Sequence, residues 1–202
     1  MTHPYPKDRN DAINWARNIL AKPGNYVILD TETTGLGESD VIVELAIIDI
    51  DGTPIFDSLF KPSIKKRISK EASSIHKITM QDLQDASHFS LYVEHIQSIL
   101  TSKNVIIYNA DFDERLLFQT CDQEECAFLR FHAECAMMQY SRFVGQWNDY
   151  HDNYSWQKLK GGDHSALGDC LATLNVIKKM AAAELIPDIQ SDPGKHPWWK
   201  FW

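Results

Sequence analysis

The hydrophobic and polar positions change their period several times along the chain, and each change marks a predicted element. Apolar residues spaced three and four apart predict helices, and short apolar or alternating runs bounded by turn residues predict strands. The predicted helices are residues 11–22, 90–100, 111–120, 135–145 and 164–184. The predicted strands are residues 25–30, 41–50, 54–60, 104–109 and 127–131.

The order of these elements predicts an α/β fold. Asp51-Gly52 is typical of a hairpin turn, so the first three strands form an antiparallel unit with residues 54–60 at its edge. The later strands alternate with helices, an arrangement that favours parallel pairing. We expect one domain with a mixed five-stranded sheet, three antiparallel strands followed by parallel ones, flanked by helices.

Turn and capping residues refine these boundaries. Pro23-Gly24 ends the first helix, and Thr79-x-x-Asp82 predicts the start of another. Asp111 and Glu114 form the pattern of a capping box, and residues 146–163 are predicted to be a loop. The chain is divided into an N-terminal helical extension (1–24), a main domain (25–184) and an aromatic C-terminal tail (185–202).

Composition narrows the class of protein. The chain has 202 residues and a net charge of −8, which argues against gripping duplex DNA through many phosphate contacts. No apolar run approaches the ~20 residues of a membrane span, so no membrane partner is expected. The polar start MTHPYPKDRN lacks an apolar signal core, so we expect a soluble cytoplasmic protein.

Four cysteines raise the question of a zinc site. Cys121, Cys126, His132 and Cys135 are near one another in sequence, yet their spacing does not form paired Cys-x-x-Cys ligands. The alternative is that these thiols are small buried residues, and the sequence favours it.

The stretch YVILDTETTGLG holds two carboxylates at the end of a predicted strand. Asp30 and Glu32 are two residues apart, so they project to the same side. Two adjacent carboxylates repel unless something compensates their charge, and a hard divalent cation with oxygen ligands does so. A polar strand end with solvated acids is the alternative.

The strand NVIIYN is followed by two further acids, Asp111 and Asp113. They lie at the carboxyl end of a buried strand, where open sheets place their sites. Asp111 has a structural role as the predicted helix cap, whereas Asp113 has none beyond a favourable position near the helix N-terminus.

A last acid, Asp169, lies among small apolar residues of a predicted helix, where it needs a partner. His164 precedes it by five positions, so both can serve one site only if His164 lies on the loop before the helix. Gly161-Gly162 makes such a loop plausible, and histidine takes a proton near neutral pH. A solvent-exposed loop residue is the alternative for His164.

Three motifs together resemble a known family. DTETTG, YNADFD and HSALGD are similar to the three motifs of the DnaQ-like 3′→5′ exonucleases, the DEDD enzymes of the histidine subclass. IVELAIID and SIHKIT are supporting matches, and the resemblance runs from about Asn25 to Met180. It implies a ribonuclease-H-like fold and makes residues 25–184 an exonuclease domain.

The resemblance also implies roles. Asp30, Glu32, Asp113 and Asp169 become ligands of two divalent cations, Mg²⁺ or Mn²⁺, and His164 becomes the general base. The family places its second-motif acid after the aromatic residue, which selects Asp113 over Asp111. The implied reaction releases nucleoside 5′-monophosphates from the free 3′ end of a nucleic acid. Single-stranded DNA is the favoured substrate.

Six further residues are predicted to contact the nucleic acid. They are Thr31, Thr33, Leu36, His76, Tyr108 and Asn109. Leu36 is expected to wedge beside the terminal base, and His76 and Tyr108 to contact the last nucleotide or its phosphate. Packing is the alternative for these three. The chain departs from many relatives at Tyr108, where they have His, and in the short run Lys160 to Asp163 before His164.

Other functions remain open at this stage. An RNA-trimming or oligoribonuclease-type enzyme would carry the same motifs, because contact with the 2′-OH is the discriminator. A non-catalytic nucleic-acid-binding module would be expected to lose an acid, and all five site positions are present. The tail WWKFW either packs on the domain or a second subunit, or stacks on bases. A homodimer or a replication or repair partner is left open.

Overall fold

The computed structural model describes residues 5–63 and 65–187. The helices are α1 (Pro6–Ala21), α2 (Lys70–His76), α3 (Val93–Leu100), α4 (Ala110–Gln123), α5 (Ala136–Val144) and α6 (Ala166–Ala181), with short 3₁₀ turns at Pro23–Asn25 and Phe89–Leu91. The strands are β1 (Tyr26–Thr33), β2 (Ile42–Ile48), β3 (Pro54–Leu59), β4 (Asn104–Ile107), β5 (His132–Cys135), β6 (Trp147–Asn148) and β7 (Asn153–Tyr154). The WWKFW tail lies outside the described residues.

The main sheet has the predicted mixed topology. Its order is β3-β2-β1-β4-β5, with β1 and β3 antiparallel to β2 and with β4 parallel to both β1 and β5. The predictions of a five-stranded α/β sheet and of an edge position for the third strand are therefore confirmed.

Alternation along β1 divides the core into two layers. Ile28 faces the layer formed with α1, α5 and α6, while Val27 and Leu29 face the layer formed with α3 and α4. All three side chains are buried, as expected for a central strand covered by helices on both faces. Acidic residues later on this strand therefore lie between two packed layers.

Helix α1 begins at Pro6 rather than at residue 11. Proline is favoured at the first helical position because its fixed φ suits the helix and its missing N–H is not needed there. The helix packs on α5 and α6, and Arg17 donates to the carbonyls of Ala181 and Ala183. The division of the chain at residue 24 stays a prediction.

The predicted strand at residues 127–131 is wrong, and the fifth strand is β5 instead. The apolar residues of this segment pack against α4 rather than pairing in the sheet. Phe128 stacks on Phe118 with ring centroids 4.7 Å apart, and Leu129 and Phe131 pack on the core layer under α4. An apolar run can thus be satisfied by a helix as readily as by a strand.

The helix predicted to start at Thr79 does not form. Asp82 accepts hydrogen bonds from the amide and hydroxyl of Thr79, and residues 80–85 continue as turns. Leu83 is fully buried, but one buried residue provides too small a stripe to hold a helix.

The predicted capping box at Asp111 and Glu114 is also wrong. Helix α4 already begins at Ala110, with Asn109 at the cap position and no side-chain capping bond. Asp111 and Glu114 are both exposed. The earlier start follows from burial of Ala110 against the core. The predicted loop 146–163 likewise contains the β6–β7 hairpin.

The cysteines are free thiols and do not form a zinc cluster in the described part of the chain. Cys121 and Cys170 are buried in opposite core layers, and Cys126 donates its S–H to the carbonyl of Cys121. Among the helices of residues 5–63 and 65–187, none is long and apolar enough to span a bilayer.

Candidate active site

One cleft at the carboxyl end of the central strands collects all five predicted catalytic residues. Its volume is about 780 Å³, and we call it the acidic cleft. Asp30, Glu32, Asp113, His164 and Asp169 line it. They come from β1, from the first turn of α4, and from α6 with the loop before it, so the fold gathers residues distant in sequence.

The cleft opens because β4 is shorter than β1 and ends before it. Parallel pairing between β1 and β4 runs from Tyr26 to Ile28, and β4 ends at Ile107. Beyond Ile28, β1 retains β2 on one side only, so Asp30 and Glu32 lie where the other side has opened. The same end of β4 leads into α4, which delivers Asp113.

Asp113 is held by a neighbour on β1. It is 3% exposed, and its Oδ1 accepts a hydrogen bond of 2.6 Å from the hydroxyl of Thr31. The Thr31 hydroxyl, one of the predicted nucleic-acid contacts, thus orients an acid of the site. A carboxylate buried to this degree needs such a donor.

His164 lies outside helix α6, as a shared site requires. The helix begins at Ala166 and is capped by Ser165, whose Oγ accepts from the amide of Gly168. His164 is exposed, has a positive φ of 61°, and its amide donates to Asp169 Oδ1 over 3.3 Å. Ligand atoms of Glu32, His164 and Asp169 lie within 4.8 Å of one another.

Gly162 permits the close approach of this loop to Asp169. A Cβ added at Gly162 would lie 2.1 Å from Asp169 Oδ1, far inside contact distance. The position therefore requires glycine for space rather than for an unusual φ. The pair Gly161-Gly162 is visible in the sequence, but it was interpreted as a sign of a loop and not as a sign of close packing.

Glu44 is a site neighbour that sequence reasoning missed. It pairs with Glu32 across the β1–β2 ladder, and its Oε2 accepts from the amide of Ala166 over 2.9 Å. A carboxylate at a helix N-terminus is favourable, and here it ties α6 to the sheet. The signal was a single glutamate within the apolar run VIVELAIIDI.

Burial, with a smaller contribution from neighbouring acids, raises the pKa values of the acids in the cleft. Burial raises the pKa of Asp30 well above its ordinary value, and the charges of Asp113 and Asp169 add to the effect. Burial, together with Asp169 and Glu44, raises the pKa of Glu32 to about 8. Burial raises the pKa of Asp113 to about 7, although the hydrogen bond from Thr31 lowers it. Burial also raises the pKa of Asp169.

This donor set fits hard divalent cations. Four carboxylates from three elements line one cleft, and burial raises the pKa of each, so their charged forms need a compensating partner. Oxygen-rich sites of this kind suit Mg²⁺ or Mn²⁺.

Comparison with known proteins agrees with this geometry. Residues 27–177 match the family model described as Exonuclease (RNase_T). The chain belongs to this exonuclease family. The prediction of a DnaQ-like exonuclease is therefore confirmed, and with it the prediction of a nuclease enzyme.

A phage protein and a DNA complex are among the similar proteins. "Uncharacterized exonuclease CP81" of Escherichia phage 186 is 35% identical, over 77% of this chain and 87% of that one. The structure titled "Exonuclease X in complex with 5′ overhanging duplex DNA" is 27% identical with a TM-score of 0.53, and the match covers 79% of this chain and 95% of that one.

Two curated relatives match in part. DNA polymerase III subunit epsilon of Buchnera aphidicola is 32% identical over 43% of this chain and 41% of its own length. RNA exonuclease 4 of Gibberella zeae is 22% identical over 86% of this chain and 54% of its own length. The chain thus spans about half of each of these relatives.

In this exonuclease, Thr33 and His76 are buried and are not among the residues that line the acidic cleft. Thr33 donates its hydroxyl to the carbonyl of Gly35. His76 Nδ1 accepts from the amide of Ile78, so Nε2 carries the proton and donates to the carbonyl of Thr33 over 3.1 Å. Burial lowers the pKa of His76. Neither residue lines the acidic cleft, and both imidazole nitrogens have partners in the protein.

Leu36 lies on an exposed loop that is held in place by hydrogen bonds to Asp40. Its side chain is 76% exposed, whereas Asp40 beneath the loop is buried. Asp40 accepts from the Thr34 hydroxyl and the Gly37 amide and forms an ion pair of 2.9 Å with Lys66. An exposed leucine on a firmly held loop fits the predicted wedge, which stays a prediction.

Tyr108 and Asn109 both line the acidic cleft. Tyr108 is 7% exposed and donates its hydroxyl to the carbonyl of Gln157 over 2.7 Å, so it fixes the segment on the far side of the cleft. Asn109 is exposed and carries no side-chain capping bond. Trp156 also lines the cleft, and the sequence analysis did not select it.

Proposed function

We propose that this chain is a metal-dependent 3′→5′ exonuclease that removes nucleoside 5′-monophosphates from single-stranded DNA. The observation that carries the proposal is the gathering of Asp30, Glu32, Asp113 and Asp169 in one cleft with His164 at its rim. This arrangement suits phosphodiester hydrolysis, because the scissile phosphate and the attacking water both need positive charge beside them.

The four carboxylates would hold two divalent cations, which when bound acidify a water and neutralise charge on the scissile phosphate. Asp30, whose carboxyl group is close enough to be influenced by the other three acids, would serve as a ligand of both cations. Asp169 would help to hold the cation that activates the water, and Glu32 and Asp113 would supply further ligands. Thr31 keeps Asp113 oriented through its hydrogen bond.

His164 is assigned as the general base. Its imidazole is exposed on the loop ahead of α6, so a ring nitrogen can receive a proton from the attacking water and release it to solvent. The backbone of the same residue donates to Asp169, which couples the position of the base to that of the acid. The ring of His164 is also close enough to the carboxylates of Glu32 and Asp169 to serve with them as a cation ligand. His164→Ala separates the two roles, because it weakens cation binding only if His164 is a ligand.

DNA is favoured as the substrate by the likeness to a structure whose title names duplex DNA with a 5′ overhang. RNA trimming is the second candidate, because one partial relative is named an RNA exonuclease. Contact with the 2′-OH separates the two polymers. A non-catalytic module is disfavoured because all five residues line one cleft.

The test uses matched DNA and RNA 15-mers of one sequence, each labelled at the 5′ end, with Mg²⁺ or Mn²⁺. We expect stepwise shortening of the DNA from its 3′ end and slower shortening of the RNA. A 3′-phosphorylated DNA serves as the control for the free end. Equal or faster RNA shortening would move the assignment to RNA, and no shortening of either polymer would overturn the proposal.

A further inference from the structure

A second depression opens directly off the acidic cleft. Its volume is about 450 Å³, and it lies between the start of α4, helix α5 and the β6–β7 hairpin; we call it the side groove. Four side chains line both the cleft and the groove: Asn109, Phe112, Met137 and Trp156. A strand whose end occupies the cleft can therefore continue into the groove.

Two arginines line the side groove on a chain whose net charge is −8. Arg115 is exposed, and its guanidinium lies 5.3 Å from the ring centroid of Phe112 while donating to Gln119 over 2.7 Å. Arg142 comes from the last turn of α5. Asp111 lines the groove as well, so the groove is lined by two positive groups and one negative group. Guanidinium groups are well suited to bind phosphate.

Trp156 lies where the groove meets the cleft, and 75% of it is exposed. The hairpin before it is firmly held: Trp147 packs edge-on to Tyr154 at 5.1 Å, and Tyr5 packs on Trp147 at 5.2 Å. Tyr154 also donates its hydroxyl to Asp8 on α1. An exposed indole on a rigid support is a platform for an unpaired base.

The wall of the groove contains an unsatisfied hydroxyl. Among buried side chains of residues 5–63 and 65–187, Ser141 Oγ is the one polar atom without a hydrogen-bond partner. Ser141 is 2% exposed and lines the groove. Buried polar groups are normally paired, so the groove wall offers one hydrogen-bonding group that no described protein atom satisfies.

We propose that the side groove binds the nucleotides immediately 5′ of the scissile bond as a single strand. Their phosphates pair with Arg115 and Arg142, and a base stacks on Trp156. The strand must be unpaired there, because stacking on the indole requires a free base face. The direction of the strand rests on the proposed function, which places the 3′ end in the acidic cleft.

Binding tests the groove without depending on catalysis. The probe is a fluorescent single-stranded DNA 12-mer with a phosphorothioate at its last linkage, titrated in Mg²⁺ at several salt concentrations. Arg115→Gln and Arg142→Gln are each expected to reduce the salt slope of the affinity by about 0.7, the value for one lost phosphate contact on a single strand. Trp156→Ala is expected to weaken binding about 5- to 140-fold, the range for one lost stacked base.

Two variants serve as controls. Arg130→Gln removes the same charge from an exposed arginine in a separate pocket beside Phe128, so its salt slope should match the wild type. Arg142→Lys keeps the charge and should restore the slope, whereas a purely structural role of Arg142 would not depend on salt.

Hydrolysis of thymidine 5′-monophosphate p-nitrophenyl ester, which has no upstream nucleotides, reports on the acidic cleft alone. If the groove variants bind the 12-mer more weakly than the wild type and lose a smaller factor in the rate of ester hydrolysis, the result supports strand binding in the side groove. Salt slopes equal to that of Arg130→Gln overturn the groove even if the ester is hydrolysed. Weaker 12-mer binding with no hydrolysis of ester or DNA supports the groove and overturns the proposed function instead.

Discussion

In the absence of divalent cations, the free energy of unfolding of this protein should fall as the pH rises. The magnitude of this effect can be worked out from Glu32. Burial and the neighbouring acids raise the pKa of Glu32 from 4.5 to about 8 in the folded protein. The folded state therefore binds a proton that the unfolded state releases. This contribution is fully present below pH 4.5 and is lost as the pH rises through 8.

The magnitude follows from the shift. A carboxyl group whose pKa rises from 4.5 to about 8 on folding lowers the free energy of unfolding by about 4 kcal/mol between low pH and pH 8, because one pKa unit corresponds to about 1.36 kcal/mol. Solvent reaches part of the Glu32 side chain, which reduces the figure to about 2 kcal/mol. For a chain of this size that corresponds to about 4–8 °C in melting temperature.

The assay is thermal unfolding in a chelator at pH 5, 6.5 and 8 for the wild type, Glu32→Gln and Glu38→Gln. Glu32→Gln should melt progressively above the wild type as the pH rises, because glutamine has no proton to lose. Glu38 is exposed, so its substitution should give no such trend. Excess Mn²⁺ should raise the wild-type melting temperature most at pH 8. A constant gap between wild type and Glu32→Gln across this range would refute the reasoning.

Three further variants test other parts of the site. His164→Ala should lower the hydrolysis rate about 10²- to 10⁴-fold, the usual worth of a general base, while Mn²⁺ still raises its melting temperature; loss of that stabilisation would make His164 a ligand. Gly162→Ala should lower the rate about 100-fold by displacing Asp169, whereas Gly24→Ala, with open space at its Cβ, should match the wild type; equal rates for the two would contradict the close approach. Asp40→Ala should destabilise the protein by about 1–3 kcal/mol in chemical unfolding, because it removes the acceptor of the Thr34 hydroxyl proton and of the Gly37 amide; an unchanged midpoint would show that Asp40 does not hold the Leu36 loop.

The sheet could be predicted because its strands are long apolar runs. VIVELAIIDI and NVIIYN are short, nearly unbroken apolar runs, which is the pattern expected of strands that are buried on both faces of a sheet. The prediction of the fifth strand was wrong because β5, with the sequence HAEC, is short, lies at a sheet edge and is half polar. The more apolar segment before it packs on α4 through Phe128.

The acids could be predicted for a different reason. Asp30 and Glu32 lie in the last part of β1 and Asp113 follows β4, and the carboxyl ends of neighbouring parallel strands meet at one edge of a sheet. The restraints around them could not be read from the sequence, because each joins residues far apart. Thr31 to Asp113 and Glu44 to the amide of Ala166 are such contacts, and neither follows from local pattern.

The predicted nucleic-acid contacts were placed correctly in the cleft for some residues and not for others. Tyr108 and Asn109 were selected from a motif and do line the acidic cleft. His76 was selected on the same ground, but its ring is turned toward the backbone of Thr33. Trp156 was not selected because it follows a hairpin that was predicted to be a loop, and Arg142 was not selected because it lies on a helix, α5, that carries none of the three motifs.

The central claim is that the acidic cleft hydrolyses the last phosphodiester of a DNA strand with the help of divalent cations. The most direct measurement is the identity of the first product from a single strand labelled in its 3′-terminal nucleotide, for the wild type and Asp30→Asn in Mg²⁺ and in chelator. We expect a labelled nucleoside 5′-monophosphate from the wild type in Mg²⁺ alone. Release of longer labelled fragments, or equal release by Asp30→Asn, would contradict the claim.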